Sequence, residues 1–306
     1  MLFIKNLLSN TGLLDSKITD CSIACISTSR PIYLAFDQKS DYPIYVVRKI
    51  DGGSALKSHN IHIQLYKLAG NLVPQPIGLY TYSGEKYDIQ HGVRGLPWFQ
   101  LKSKVRSGEE RIRLEKRIWE TLKNFQAAIF QSETNETSNL KPHEELNNAY
   151  LDYQKAGEAL TQNLKKIVEK AISELSREPD SPAVPQHGDF CLNNLIIDTD
   201  DITVIDFEDF GITSMPLYDH FTLALSLPSS SDNPANVANI FGVSAIVSAA
   251  QVLGISKDVI HWHFLHHILL RLGQWSTGEK RAAYRAWLKQ VLDSFIEDQA
   301  KRYTNY

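Results

Sequence analysis

Two short apolar β runs, Leu195–Ile197 and Thr203–Ile205, stand close together in a part of the chain where helical patterns dominate. Between them lies Asp198-Thr199-Asp200-Asp201-Ile202, a connection of hairpin length. Pairing Ile197 with Thr203 and Leu195 with Ile205 puts Asn194 opposite Asp206. Residues facing each other across an antiparallel pair have α-carbons roughly 4.5–5.5 Å apart. That register would hold an amide oxygen and a carboxylate together at one end of a hairpin, an all-oxygen donor set suited to Mg²⁺. Asp189 lies on the loop just before this hairpin, in the run Gln186-His187-Gly188-Asp189-Phe190-Cys191.

The rest of the chain falls into two patterns. Residues 20–93 read as strands with one helix inserted. Ile32–Phe36 and Ile44–Ile50 are β-rich, and Ile61–Leu68 has apolar residues at helical spacing. Ile77–Tyr82 and Tyr87–Gln90 flank Ser83-Gly84-Glu85 as a hairpin. Gly92, Gly95 and Pro97 then mark a hinge, and from Ser107 the pattern turns helical, with Ser107 and Glu110 spelling a capping box. One long helix is expected from about Glu144 to Leu175, and a short β segment around His187. This divides the chain into a strand-rich N-terminal lobe, 1–93, and a mostly helical C-terminal lobe, 94–306.

Composition excludes several classes of function. With 306 residues the chain is long for a single core. A formal net charge of -3 supplies no global basic field, so neither nucleic acid nor a membrane is expected as a partner. No apolar run is long enough to span a bilayer, and Met1–Asn10 reads as a cytoplasmic helix, not a cleaved leader. Three cysteines, Cys21, Cys25 and Cys191, read as free thiols. Oligomeric state is not legible.

His187-Gly188-Asp189 with Asn194 five positions beyond the Asp keeps the H-x-D-x-x-x-x-N spacing of protein-kinase catalytic loops, with Gly in place of Arg, and Asp206 supplies a second carboxylate. Followed by Ile205-Asp206-Phe207-Glu208, this segment resembles the phosphotransferase family of aminoglycoside, choline and related small-molecule kinases. The match is specific over 184–220 and agrees in layout over about 25–220. The resemblance implies a bilobal, protein-kinase-like α+β fold with the nucleotide between the lobes. It implies a Mg²⁺-dependent enzyme that moves the terminal phosphate of ATP or GTP to a hydroxyl of a small molecule. Asp189 would orient that hydroxyl and take its proton, Asn194 and Asp206 would hold Mg²⁺, and His187 would brace the loop. Asp219, in the segment Pro216–Asp219, is expected to be structural. Only a short stretch separates Asp206 from Pro216, too little for an activation segment that docks polypeptides, so a small acceptor is expected.

Other positions are read on the same basis. A basic strand residue should meet the nucleotide phosphates, paired with a helix Glu. Arg48 and Lys49 lie on opposite faces of one strand, and Lys49 is preferred because it shares a face with Val47. The helix Glu is missing from His59-Asn60-Ile61-His62-Ile63-Gln64-Leu65-Tyr66. Its absence supports a rival reading, a catalytically weak nucleotide-binding scaffold. Gln90, His91 and Val93 are expected to bond the base through their backbone. No glycine-rich loop opens the first strands, and Ser27-Thr28-Ser29 is the substitute. His261, His263, His266 and His267 share a helix, where an ordinary packed face is preferred over a metal site because no carboxylate accompanies them. Residues 255–306 are mildly basic, which ranks sugars, amino alcohols and other hydroxyl metabolites above cationic aminoglycosides as acceptors.

Overall fold

The computed structural model describes residues 2–14, 21–27, 31–50, 55–132, 139–157, 160–275 and 282–304. The chain begins with helix α1 (Leu2–Asn10) and strands β1 (Ser22–Ser27), β2 (Ile32–Phe36) and β3 (Tyr45–Ile50). Helix α2 (Ala55–Ala69), strands β4 (Pro76–Tyr82), β5 (Glu85–His91) and β6 (Leu96–Pro97), and helices α3 (Trp98–Leu101) and α4 (Gly108–Ser132) follow. Then come β7 (Asn139–Leu140), α5 (Pro142–Lys155), α6 (Gln162–Leu175), β8 (Ser181–Pro182), β9 (Leu195–Ile197) and β10 (Ile202–Val204). The chain ends in α7 (Tyr218–Ser226), α8 (Pro234–Val237), α9 (Ser244–Val252), α10 (Ile260–Leu270) and α11 (Ala282–Thr304). An N-terminal antiparallel sheet with a mostly helical remainder is the α+β fold expected of a kinase-like chain.

By internal contacts the chain forms two compact units, residues 1–132 with 192–208, and residues 133–191 with 209–306. This is a different cut from one at 93/94: α4 and the β9–β10 hairpin belong with the sheet. Segment 92–97 is also tied into that unit, because Leu96 and Pro97 pair with Ile197 and Ile196.

In the first unit the five-stranded sheet runs β1-β2-β3-β5-β4, every pair antiparallel. Period-two alternation sends Val47 to one face and Arg48 to the other. The Val47 face, with Ala35, Tyr87 and Ile89, is sealed by Ile4, Leu7 and Leu8 of α1. Helix α4 begins with the expected capping box, in which Glu110 N donates to Ser107 Oγ and Ser107 N donates to Glu110 Oε2.

The second unit is organised around α10, in which every residue except His261 is buried. A helix apolar on all sides belongs at the centre of a bundle, and α10 packs against α5 and α7. The single helix expected over 144–175 is two helices. Gly157 takes a left-handed backbone (φ 77°) after α5, and Thr161 caps α6 by accepting from Leu164 N at 3.1 Å. No strand forms around His187; residues 183–191 are extended loop and bend.

Candidate functional site

In the first unit, Arg48 of β3 and Asp88 of β5 are direct cross-strand partners. Arg48 Nη2 donates to Asp88 Oδ2 at 2.8 Å, and His59 Nδ1 of α2 lies 2.8 Å from Asp88 Oδ1. Asp88 is 1% exposed, so this triad of cation, carboxylate and imidazole is sheltered from water. Lys49 points to the other face, toward Val47 as expected, and pairs with Glu85 at 2.9 Å where both side chains meet solvent. Arg48 thus finds its carboxylate in the sheet, and α2 contributes His59 to the same carboxylate. Neither Asp88 nor His59 stood out in the sequence. The available signal was the register that puts residues 48 and 88 side by side.

Gln90 is buried in β5, opposite Val46 and Pro76. His91 N already donates to Gln75 O at 2.9 Å and Gly92 N to Ile44 O at 2.9 Å. The amide of His91 is thus spent within the sheet. Val93 follows, half-buried. Ser27 closes β1 at a register irregularity opposite Ile32; its side chain, and Thr28 and Ser29, lie outside the described residues.

The β9–β10 hairpin forms, with a register one residue away from the expected one. Ile197 pairs with Ile202, Ile196 with Thr203 and Leu195 with Val204. Asp198 N donates to Asp201 O at 2.9 Å, closing a tighter loop than the five residues anticipated. Asn194 therefore faces Ile205, whose amide donates to Asn194 O at 2.9 Å, and Asp206 is not its cross-strand partner. A one-residue slip would send Asp206 to the opposite side of a regular strand. Here the strand has ended at Val204, and Asp206 takes a left-handed backbone (φ 66°) that redirects its side chain. Asn194 lies in a 3₁₀ turn, Leu192–Asn194, and is buried. An amide oxygen and a carboxylate at the two ends of this hairpin are the donor types a hard cation takes.

In the second unit the loop 186–189 is held from several sides. Gln186 N donates to Thr213 O at 3.0 Å, and Gly211 N donates to Gln186 O at 2.8 Å. His187 N and Gly188 N donate to the two oxygens of Asp219, at 2.7 and 3.0 Å. Asp219 sits in the first turn of α7, where the helix dipole also favours a carboxylate. Burial pushes its carboxyl up to about 7, against the amides of His187 and Gly188 and the charge of Arg271, which favour the ionised form. Asp219 is thus the structural residue expected. His187 is fully buried, accepts from Asp189 N at Nδ1 (3.3 Å), and packs edge-on against Phe190.

Gly188 explains why Gly stands where protein kinases carry Arg. Its φ is 86°, and a β-carbon there would stand 2.3 Å from Asp209 O. Conformation and space both require glycine. Asp189 follows, partly exposed, with Oδ1 accepting from Arg271 Nη2 at 3.1 Å. Arg271 was missed by sequence reasoning. Its signal was a lone cation following Ile268-Leu269-Leu270 at the end of a helical run otherwise without charged side chains.

The histidine-bearing helix is packed core, as preferred. His263, His266 and His267 are buried, and burial pushes His263 down to about 4 and His266 to about 3. Among the described residues no group of three or more His, Cys, Asp or Glu gathers for a metal, and Cys21, Cys25 and Cys191 form no disulfide.

An antiparallel N-terminal sheet and a mostly helical remainder are the build of kinase-like phosphotransferases. The pattern of the phosphotransferase enzyme family matches residues 36–245, and the chain belongs to that family. Among solved structures it resembles a macrolide 2'-phosphotransferase from Brachybacterium faecium, with 16% identity and TM-score 0.57 over 94% of this chain and 97% of that one. A glucosamine kinase in complex with glucosamine, ADP and inorganic phosphate shares 12% identity, TM-score 0.55, over 92% and 81%. A choline kinase from Streptococcus pneumoniae shares 15% identity, TM-score 0.54, over 96% and 98%. At these identities the likeness is one of fold. No curated protein matches the sequence.

Proposed function

We propose that this small-molecule kinase carries the terminal phosphate of ATP to a hydroxyl of a sugar, an amino alcohol or a related metabolite, with Asp189 as the acceptor-side base. The observation that carries this reading is the build of the Asp189 loop: two amides clamped on Asp219, a glycine that nothing else can replace, and the carboxylate itself partly exposed. A loop held this firmly suits the aiming of a hydroxyl. Asp189 accepts the acceptor's proton as its oxygen bonds to phosphorus, and the bond from phosphorus to the departing nucleoside diphosphate breaks. A Mg²⁺ held by Asn194 and Asp206 would offset the charge on the phosphates.

Arg48 is the residue we assign to the phosphates, in preference to Lys49. It is the member of the pair anchored by a buried acid and a helix residue, and an arginine fork suits phosphate oxygens. The same triad weakens the scaffold reading, since the carboxylate that α2 lacks is replaced. On the donor side, ATP is favoured by the ADP of the glucosamine kinase complex; GTP is tested beside it. Residues 1–93 would carry the nucleotide contacts, including Gln90 and Val93, and residues 94–306 the catalytic and acceptor contacts. No described helix is long and apolar enough to cross a membrane, in keeping with cytoplasmic work on a diffusing substrate.

The test is acceptor-dependent ADP release with Mg-ATP and Mg-GTP against glucosamine, choline, ethanolamine and free hexoses. Asp189→Asn should lower transfer by about 10²–10⁴-fold and leave ADP affinity within about twofold. Wild-type transfer by Asp189→Asn would overturn the assignment.

A further inference from the structure

Arg271 follows α10 in the π-helical turn Arg271–Trp275 and is 3% exposed. A guanidinium taken out of water is costly unless its donors find acceptors. Nη2 alone reaches three: Asp189 Oδ1 at 3.1 Å, Gly188 O at 3.2 Å and Thr222 Oγ1 at 3.0 Å. Its central carbon lies 5.7 Å from the centroid of the Tyr218 ring, within range of a cation–π contact. The acceptors come from different parts of the unit, the 186–189 loop and helix α7, so one rigid planar group ties them together. Lysine can supply the charge but neither the fork nor the stacking face.

We propose that Arg271 is a positioning residue for phosphoryl transfer. By holding Oδ1 of Asp189 and the carbonyl just before it, Arg271 fixes both the side-chain rotamer and the backbone of the loop. The carboxylate then meets the acceptor hydroxyl in one orientation. Asp189 has two rotatable side-chain bonds, and Asp219 restrains only the backbone amides of His187 and Gly188. Arg271 supplies a restraint on the carboxylate itself. The inference rests on Asp189 being the base.

Arg271→Lys and Thr222→Val are compared alone and in an Asp189→Asn background. The assay is ADP release from Mg-ATP with the most active compound among glucosamine, choline, ethanolamine and free hexoses. Arg271→Lys should lower kcat about 10–10²-fold, the usual cost of a misplaced reacting group, with KM for ATP within about twofold. Thr222→Val, which removes one acceptor and no charge, should show a smaller fall of the same kind. In the Asp189→Asn background each should cost less than about threefold more, because the group it orients is already disabled. A merely structural role predicts the full loss again in that background. Additive losses, or an unchanged kcat in both single variants, would overturn the proposal. If Asp189→Asn itself transfers at the wild-type rate, the base reading falls first; a collapse of Asp189→Asn with an unaffected Arg271→Lys removes this inference alone.

Discussion

Asp219 is a position where a small chemical change should cost both stability and rate. Its carboxylate is fully buried and accepts from the amides of His187 and Gly188 at 2.7 and 3.0 Å. Asp219→Asn keeps the shape and turns one acceptor oxygen into an NH₂ group, so one of those amides faces a donor. A hydrogen bond to a charged group contributes about 1.5–3 kcal/mol, and a buried amide left unsatisfied costs about 1–3 kcal/mol. Against this, the substitution removes a buried charge whose burden is visible in the carboxyl being raised to about 7. The net loss should be about 3 kcal/mol, or ~6–12 °C of melting temperature for a unit of this order of size. The amides involved immediately precede Asp189, so kcat should also fall, by about 10²-fold if the carboxylate moves by ~1 Å. ADP affinity should hold, because Arg48, the residue proposed to meet the phosphates, belongs to the other compact unit. Calorimetric melting and steady-state kinetics on the purified variant read both effects. A melting shift below about 2 °C together with an unchanged kcat would refute the clamp.

Two further outcomes follow from charge placement. Arg48→Met should weaken ADP binding by about 10–10²-fold in titration calorimetry, the worth of a charge-assisted hydrogen bond, while Lys49→Met stays within about twofold; the reverse order would restore Lys49 as the phosphate ligand. Melting temperature should fall as pH drops from 7 to 5. Burial lowers His220 and His263 to about 4, His266 to about 3, and His267 well below its usual value. Such groups take up protons first in the unfolded chain, so the stability they contribute above a pH of about 6.5 is lost as pH falls toward 4. Asp219, raised to about 7, acts the other way: its contribution is present below a pH of about 3.9 and is lost as pH rises through 7. Four imidazoles outweigh one carboxyl. His266→Leu should flatten the decline, and a melting temperature that rises from pH 7 to 5 would contradict it.

What could be read from the chain alone was most of what neighbours in sequence decide. Strands β2, β3 and β5, the Ser107–Glu110 cap and the His187-Gly188-Asp189 spacing with Asn194 all depend on period, turn chemistry or fixed offsets. The break between α5 and α6 was legible too, in Gly157 and Thr161, and was hidden by the apolar stripe that continues through both helices. The remainder was settled by tertiary contacts. The hairpin register hinged on whether Asp198 closes on Asp201 or one residue later, and both strands are buried nearly throughout, so alternation does not choose between the two. Arg48 and Lys49 are equal in sequence; Asp88, 40 positions away, and His59 distinguish them by arriving on one face only. Arg271 meets Asp189 across 82 residues, through the packing of α10 and the π turn that follows it. Local hydrogen bonds and periodicity act within a few residues and leave a mark there. A buried charge finds its partner only when distant segments pack, so the pairing is written in the fold and not in the spacing.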